Sequence, residues 1–214
     1  MSEGGGPSGV EGASGPRIVL ASASPRRLDI LRQLGIEPEV APADVDESYL
    51  DDESPAEHVE RLARRKAETA ASRGSVAHSA LVVGGDTVVV DGDAVLVKPA
   101  DEDGAVEMLL GLSGGTHQVL SGLAVMTGGR VVSGVVRTNV RMRTFDEAAA
   151  RQYVATGEPM DKAGGYGIQG KGAALVAEIE GDYYSVVGFP VGLFLDLLER
   201  VGWRFAFGSF TPTR

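Results

Sequence analysis

The residues of this 214-residue chain best suited to chemistry are Ser24-Pro25-Arg26-Arg27, a lone aspartate at position 86, and lysines at 66, 98 and 162. Ser24 sits where a helix N-cap belongs, and Pro25 falls at the first helical position, where its missing N–H costs nothing. The opening turn of a helix offers unpaired N–H groups and a partial positive charge, and so makes an anion site. Arg26 and Arg27 add planar forks suited to phosphate oxygens. Cations at a helix N-terminus are unfavourable by roughly 0.3–1 kcal/mol each. Two in a row suggest a compensating anionic ligand; the alternative is a pair of ordinary solvated side chains. Asp86 interrupts a run otherwise suited to a core strand, and burying an unpaired carboxylate costs about several kcal/mol. It must be paired, bound to metal or facing a cleft. Lys98 is its nearest candidate cation, and a structural salt bridge and a catalytic role both stay open.

These groups need elements to carry them. Ile18 to Leu20 reads as a short buried strand, followed by a helix with Leu28, Leu31 and Leu34 on one face and Gly35 as its stop. Ser54-Pro55-Ala56-Glu57 is a capping box, opening a helix that turns Val59, Leu62, Ala63, Ala67 and Ala70 inward. Lys66, one residue before a core alanine, falls at the rim of a cleft. Leu81 to Val90 is a strand broken by Gly84-Gly85, glycines that let another group approach its backbone. Asp91-Gly92 turns it into a hairpin with residues 94–97. A helix follows over residues 101–112, with Ala105, Met108, Leu109 and Leu112 on one face. Two long strands, 118–127 and 130–143, meet at Gly128-Gly129. Thr144-Phe145-Asp146-Glu147 reads as a second capping box. A strand near 173–179, a helix over 191–201 and a last strand at 204–207 complete the pattern.

Two segments resist a regular reading. Residues 38–52 form an acidic loop with Asp44, Asp46, Glu47, Asp51 and Asp52, one carboxylate of which can reach back to a metal. Residues 158–172 are glycine-rich and without regular structure, and carry Lys162 and Gln169; so long a segment inside a domain is more often functional than accidental. It contains Gly165-x-Gly167-x-x-Gly170 and nearly a P-loop. Both motifs need a helix to follow, where a strand is expected, and the P-loop needs Ser or Thr at the position of Gly172. His117 reads as a structural histidine.

Composition narrows the function. With 43% apolar and 23% charged residues the chain is an ordinary globular protein, without an apolar run able to span a bilayer. It has no cysteine, so disulfide and thiolate chemistry are excluded and a cytosolic location is the default. A net charge of −10 argues against binding nucleic acid or an anionic membrane, though a local Lys/Arg cluster still suffices for a phosphorylated small molecule. Residues 1–16 read as a disordered tail, 17–208 as one α/β domain and 209–214 as a C-terminal tail. The chemistry that fits is phosphoryl transfer to water. Cations would hold a polyphosphate, a carboxylate would hold a divalent metal or orient water, and the Gln169 amide would read a base. A nucleotide-binding regulator that does not hydrolyse is the rival reading.

Leu20-Ala-Ser-Ala-Ser-Pro-Arg-Arg27 resembles the signature of the Maf family of nucleoside triphosphate pyrophosphatases. So do, in order, Gly85-Asp86-Thr87-Val88-Val89, Lys98-Pro99, Leu112 to Val119, Gly157 to Gly170, and Val186-Val187-Gly188-Phe189-Pro190. The resemblance implies an α/β fold of Maf/ITPase type: an elongated mixed β-sheet flanked by helices, with two lobes around a central cleft, often dimeric. It implies cleavage between the α- and β-phosphates, giving a nucleoside monophosphate and pyrophosphate, with Mg²⁺ or Mn²⁺. Asp86 corresponds to the family's proton acceptor; Arg26, Thr87 and Gln169 to positions tied to substrate preference; Ser24, Arg27, Lys66, Lys98 and Lys162 to cleft residues near the phosphates. Asp86 and Glu47 are the candidate metal ligands. The Tyr-Gly-Ile-Gln-Gly form resembles the branch acting on dTTP and UTP; the rival within this frame is a nucleotide-sensing regulator of cell division. Gly85 and Gly165 stand where the family more usually has alanine, and Phe189 where leucine is commoner.

Overall fold

The middle strand of this protein is β3 (Leu81–Asp91), eleven residues with both faces buried along most of its length. The structure, a computed structural model, describes residues 15–213, so most of the tail expected over residues 1–16 lies outside the described residues. The seven-stranded sheet runs β2 (Glu39–Val40), β1 (Ile18–Leu20), β3, β5 (Thr116–Thr127), β6 (Arg130–Met142), β7 (Val176–Glu180), with β4 (Ala94–Leu96) joined to β3 off this path. The pairings of β1 with β2 and β3 are parallel and the rest antiparallel, so the sheet is mixed.

The register leaves a gap along one edge of β3. One edge of β3 pairs with β5 from Val82 to Val90. The other edge is divided: β1 takes Leu81 to Val83, and β4 takes Val89 to Asp91. Residues 84–88 lie between those two partners, and Asp86 is at their centre.

The apolar packing divides at the same level. On one face, α1 (Pro25–Gln33) and α6 (Val191–Arg200) pack Ile30, Leu31, Phe194, Leu197 and Leu198 against Leu20, Leu81, Val83 and Leu123. Further along that face, α3 (Glu102–Leu112) and α4 (Glu147–Val154) pack Val106, Leu109 and Tyr153 against Val89, Val119 and Val140. Because side chains alternate along a strand, Gly85 and Thr87 sit on this face between the two clusters, beside fully buried Ser121, which pairs with Thr87. This polar band separates the two apolar clusters.

The opposite face is covered by α2 (Pro55–Ala71), with its Ser54/Glu57 capping box formed as expected. Gly84 and Gly122 let it lie directly on the strands. A Cβ at Gly84 would fall 2.1 Å from the Ala63 carbonyl oxygen, and one at Gly122 2.4 Å from that of Val59.

Several expectations need correction. Thr144 does not cap α4; Asp146 does, accepting from Ala149 N–H. The preceding residues are tied down elsewhere, with Phe145 N–H donating to Ser113 Oγ and Gly114 N–H to the Arg143 carbonyl, which holds them extended until Asp146. Residues 158–172 are not structureless, for they contain short 3₁₀ turns at Glu158–Asp161 and Ala163–Gly165 and the start of another at Lys171. A five-residue helix, α5 (Tyr183–Val187), follows β7 and was not foreseen. Residues 209–214 are not simply a tail: β9 (Ser209–Pro212) pairs with β8 (Trp203–Ala206), with Phe205 against Phe210. Among the described residues no helix is long and apolar enough to cross a membrane.

Candidate active site

Asp86 projects from the open stretch of β3 toward α2, where Lys66 Nζ donates to its Oδ1 at 2.8 Å. Both residues are buried. The expected partner, Lys98, is exposed at the end of the β3–β4 hairpin. Lys66 takes its place because Gly84 brings α2 within backbone contact of β3, as the glycines before Asp86 allowed. Lys66 also meets Glu47 Oε1 at 2.6 Å. The two carboxylates therefore lie no further apart than the sum of those distances. Partial burial works against ionisation of Glu47, but the hydrogen bond and charge of Lys66, with the charges of Lys98 and Arg27, bring its pKa below the ordinary carboxylate value. One acidic residue of the 38–52 loop thus does reach back to the site.

On the face of β3 opposite Asp86, α1 begins at Pro25 with Ser24 in the N-cap position. Ser24 makes no side-chain cap; its own N–H donates to Ser22 Oγ. Arg27 is held by three bonds, from Nε to the Gly188 carbonyl at 2.9 Å, Nη1 to Ser22 Oγ at 2.9 Å and Nη2 to Thr87 Oγ1 at 3.2 Å. Thr87 in turn meets Ser121, whose hydroxyl donates to the Ser185 carbonyl. Burial lowers the Arg27 pKa and the Asp86 charge opposes that shift. Arg27 is therefore a fixed charge joining α1, β3 and the turn after α5, close to Asp86.

Arg26 joins α1 to the glycine-rich segment, Nη1 to Asp161 Oδ2 at 2.8 Å. Lys162 Nζ takes the other oxygen at 2.5 Å and the Glu158 carbonyl at 2.6 Å. Partial burial of Asp161 opposes ionisation, yet these two cations hold its pKa at about 2. The glycine-rich segment winds round Glu158, whose carboxylate accepts from Tyr153 Oη, Lys171 N–H and Gly172 N–H, while Tyr153 Oη accepts from Gly167 N–H. A Cβ at Gly170 would come within 2.5 Å of that carboxylate, so the glycine makes room for it. Gln169 lies exposed on the segment so formed.

A family model described as Maf-like protein matches residues 17–201. The chain belongs to the Maf-like protein family. Among relatives of this Maf-family chain, a dTTP/UTP pyrophosphatase of Symbiobacterium thermophilum is 48% identical over 187 residues, covering 87% of this chain and 95% of that one. A protein of the same name from Vibrio cholerae is 48% identical over 175 residues, with 82% and 92% covered. One from Caulobacter vibrioides is 44% identical over 194 residues, with 90% and 99% covered.

In this Maf-family chain the structure joins Asp86 and Glu47 through Lys66, with Arg27 and Lys98 near enough for their charges to act on Glu47. Arg26 and Lys162 meet separately, on Asp161. Thr87 lies on the opposite face of β3 from Asp86, against Arg27. Gly165, at φ +68°, occupies backbone space that strains any L side chain, so glycine suits this position. Sequence reading gave no role to Ser22, Gly188, Tyr153 or Glu158, which fix the site's charged groups and the glycine-rich loop. Ser22, Gly188 and Glu158 lie within the segments that resemble Maf motifs, but nothing local marked the contacts they make. His117 is structural, as expected: its Nε2 meets Tyr166 Oη at 2.7 Å, and burial lowers its pKa to about 4.

Among the described residues no three His, Cys, Asp or Glu side chains form a metal cluster. The donor set nevertheless fits Mg²⁺, which typically takes one or two carboxylates and completes its shell with water and substrate phosphate oxygens. Asp86 and Glu47, drawn to one cation, are such a pair.

Proposed function

We propose that this chain hydrolyses nucleoside triphosphates between the α- and β-phosphates, releasing a nucleoside monophosphate and pyrophosphate, with dTTP and UTP preferred. The relatives' names support the reaction and the base preference. The observation that carries the mechanism is the buried Asp86–Lys66 pair in the open stretch of β3, with Glu47, Arg27 and Lys98 around it.

Asp86 and Glu47 would hold a divalent cation, which when bound neutralises phosphate charge and lowers the pKa of water. The chain's own residues do the rest. Lys66 orients Asp86 by binding Oδ1, and among the described residues Oδ2 has no hydrogen-bond partner. Asp86 accepts the proton of the water that attacks the α-phosphorus, while the bond to the bridging oxygen of pyrophosphate breaks. Arg26, Arg27, Lys66, Lys98 and Lys162 bear the negative charge of the departing group. To receive it, Arg26 and Lys162 must exchange Asp161 for phosphate oxygens. Ser24, at the N-cap without a capping bond, adds a hydroxyl beside the unpaired N–H groups of α1. Gln169 presents one amide donor and one acceptor, which match a pyrimidine edge.

Pyrophosphate release from dTTP, UTP, CTP and GTP, with and without Mg²⁺, tests the proposal. Metal-dependent release of pyrophosphate, fastest from dTTP and UTP, is expected. Release of orthophosphate instead, or nucleotide binding without turnover, would refute it.

A further inference from the structure

We propose that Glu53 is a positioning residue that sets Glu47 on Lys66 through a clamp of Arg61, His58 and Tyr49. The inference rests on the reading of Glu47 as part of the active site. Glu47 belongs to the connection between β2 and α2 and its side chain is 62% exposed, with one ion pair, to Lys66. Nothing about a largely exposed glutamate fixes it, because long side chains lose rotamer entropy when ordered. Its backbone must be fixed instead.

The next residues do this. Glu53 has a side chain only 7% exposed, and it accepts from Arg61 Nε at 2.5 Å and Nη2 at 2.7 Å, from His58 Nδ1 at 3.0 Å and from Leu50 N–H at 3.2 Å. The same Arg61 Nη2 donates to the Ser48 carbonyl at 2.9 Å, one residue from Glu47. Asp46 accepts from Ser48 N–H at 3.0 Å on the other side. The Tyr49 ring lies flat on buried His58, centroids 3.6 Å apart and planes within 4°. The segment 46–53 is thus pinned at Ser48, Tyr49, Leu50 and Glu53 to one turn of α2. Lys66 is five residues beyond Arg61 on that helix, about 7 Å along its axis, so the clamp and the Glu47 ion pair share one rigid support. A bidentate Arg–carboxylate pair gives the directional hold such a clamp needs. Among the described residues no partner of Glu53 hydrogen-bonds to Asp86, Arg26 or Arg27, though the Asp86 charge acts on both Arg61 and Tyr49; the double variant therefore decides whether the effect of Glu53 passes through Glu47.

Glu47→Gln, Glu53→Gln and the double variant test this in two ways. Amide hydrogen exchange in Glu53→Gln should rise over residues 44–50 while β3 stays protected; unchanged exchange there overturns the proposal, whatever the enzyme's activity. For turnover of dTTP, Glu53→Gln should lower kcat/KM and raise the half-saturating Mg²⁺ concentration on the order of 10-fold, with the double variant no worse than Glu47→Gln alone. Effects that multiply show that Glu53 acts independently, and also overturn it. If Glu53→Gln does not fold, Arg61→Lys serves in its place: it keeps the charge but loses the fork, and the same exchange and kinetic outcomes apply. Wild-type turnover by Glu47→Gln would remove Glu47 from the site and this proposal with it, leaving hydrolysis at Asp86 standing. Failure of the wild type to hydrolyse any nucleotide would refute the proposed function, while the exchange measurement still decides the clamp.

Discussion

Replacing Gly84 by alanine would separate the helix that carries Lys66 from the strand that carries Asp86. The new Cβ would lie 2.1 Å from the Ala63 carbonyl oxygen and 2.8 Å from Ala67 N, both α2 backbone atoms that cannot rotate away. Reaching a tolerable 3.0 Å needs a shift of roughly 1 Å. Overpacking of this kind costs about 1–3 kcal/mol, and a protein of this size loses about 2–4 °C of thermal midpoint per kcal/mol. Because Lys66 lies between the two clashing residues, the same shift stretches its 2.8 Å bond to Asp86. A misplacement near 1 Å at a reacting group costs on the order of 10²-fold in rate. Thermal unfolding and dTTP turnover should both be measured, with Gly74→Ala as control, since a Cβ there meets nothing within 4 Å. A Gly84→Ala protein with the wild-type midpoint and turnover would refute the idea that bare backbone contact sets the Lys66–Asp86 pair.

Asp86→Asn should lower kcat by about 10²–10⁴-fold, the range for a lost general base, with little change in thermal midpoint because Lys66 keeps Glu47. Turnover within a few-fold of wild type would count against Asp86 as proton acceptor. Gln169→Ala should change the ranking of dTTP, UTP, CTP and GTP more than it changes affinity for inorganic pyrophosphate; an unaltered ranking would exclude Gln169 from base recognition. Stability should fall on acidification in two stages. Buried His117, at about 4 when folded and 6.5 ordinarily, contributes fully above pH 6.5, and that contribution is lost as pH drops toward 4. Glu53, held at about 2 chiefly by its hydrogen bond from Arg61 against an ordinary 4.5, contributes fully above pH 4.5 and loses this as pH falls to 2. Melting curves from pH 8 to 2 check both stages, and a midpoint unchanged between pH 7 and 4 would contradict the first.

What could be read in the sequence was local. The Ser54/Glu57 box, Pro25 at the first position of α1 and the Gly128-Gly129 turn each draw their conformation from a few adjacent residues, and each formed. Asp86 was recognisable as anomalous because a carboxylate in an apolar strand needs a partner. Which partner it has was not legible, since Lys98 is near in sequence whereas Lys66 is near only once α2 crosses the strands at Gly84 and Gly122. Glu158 escaped notice for a similar reason. Its carboxylate collects backbone N–H groups 13 and 14 residues away, and no periodicity marks such a hub. Thr144 lost the cap to Asp146 because Ser113 holds the residues between them, a contact 32 residues distant. The strand expected at 204–207 formed as β8, but its partner β9 carries the single aromatic Phe210, too weak a pattern to signal a second strand.

The most direct measurement is a crystal structure with a dUTP analogue whose α–β bridge is an imido group, soaked with Mg²⁺. The expected result places the β- and γ-phosphates among Arg26, Arg27 and the lysines, with the α-phosphorus facing Asp86 in the open stretch of β3. A nucleotide bound away from Asp86, or phosphates lying elsewhere than the start of α1, would contradict the central claim.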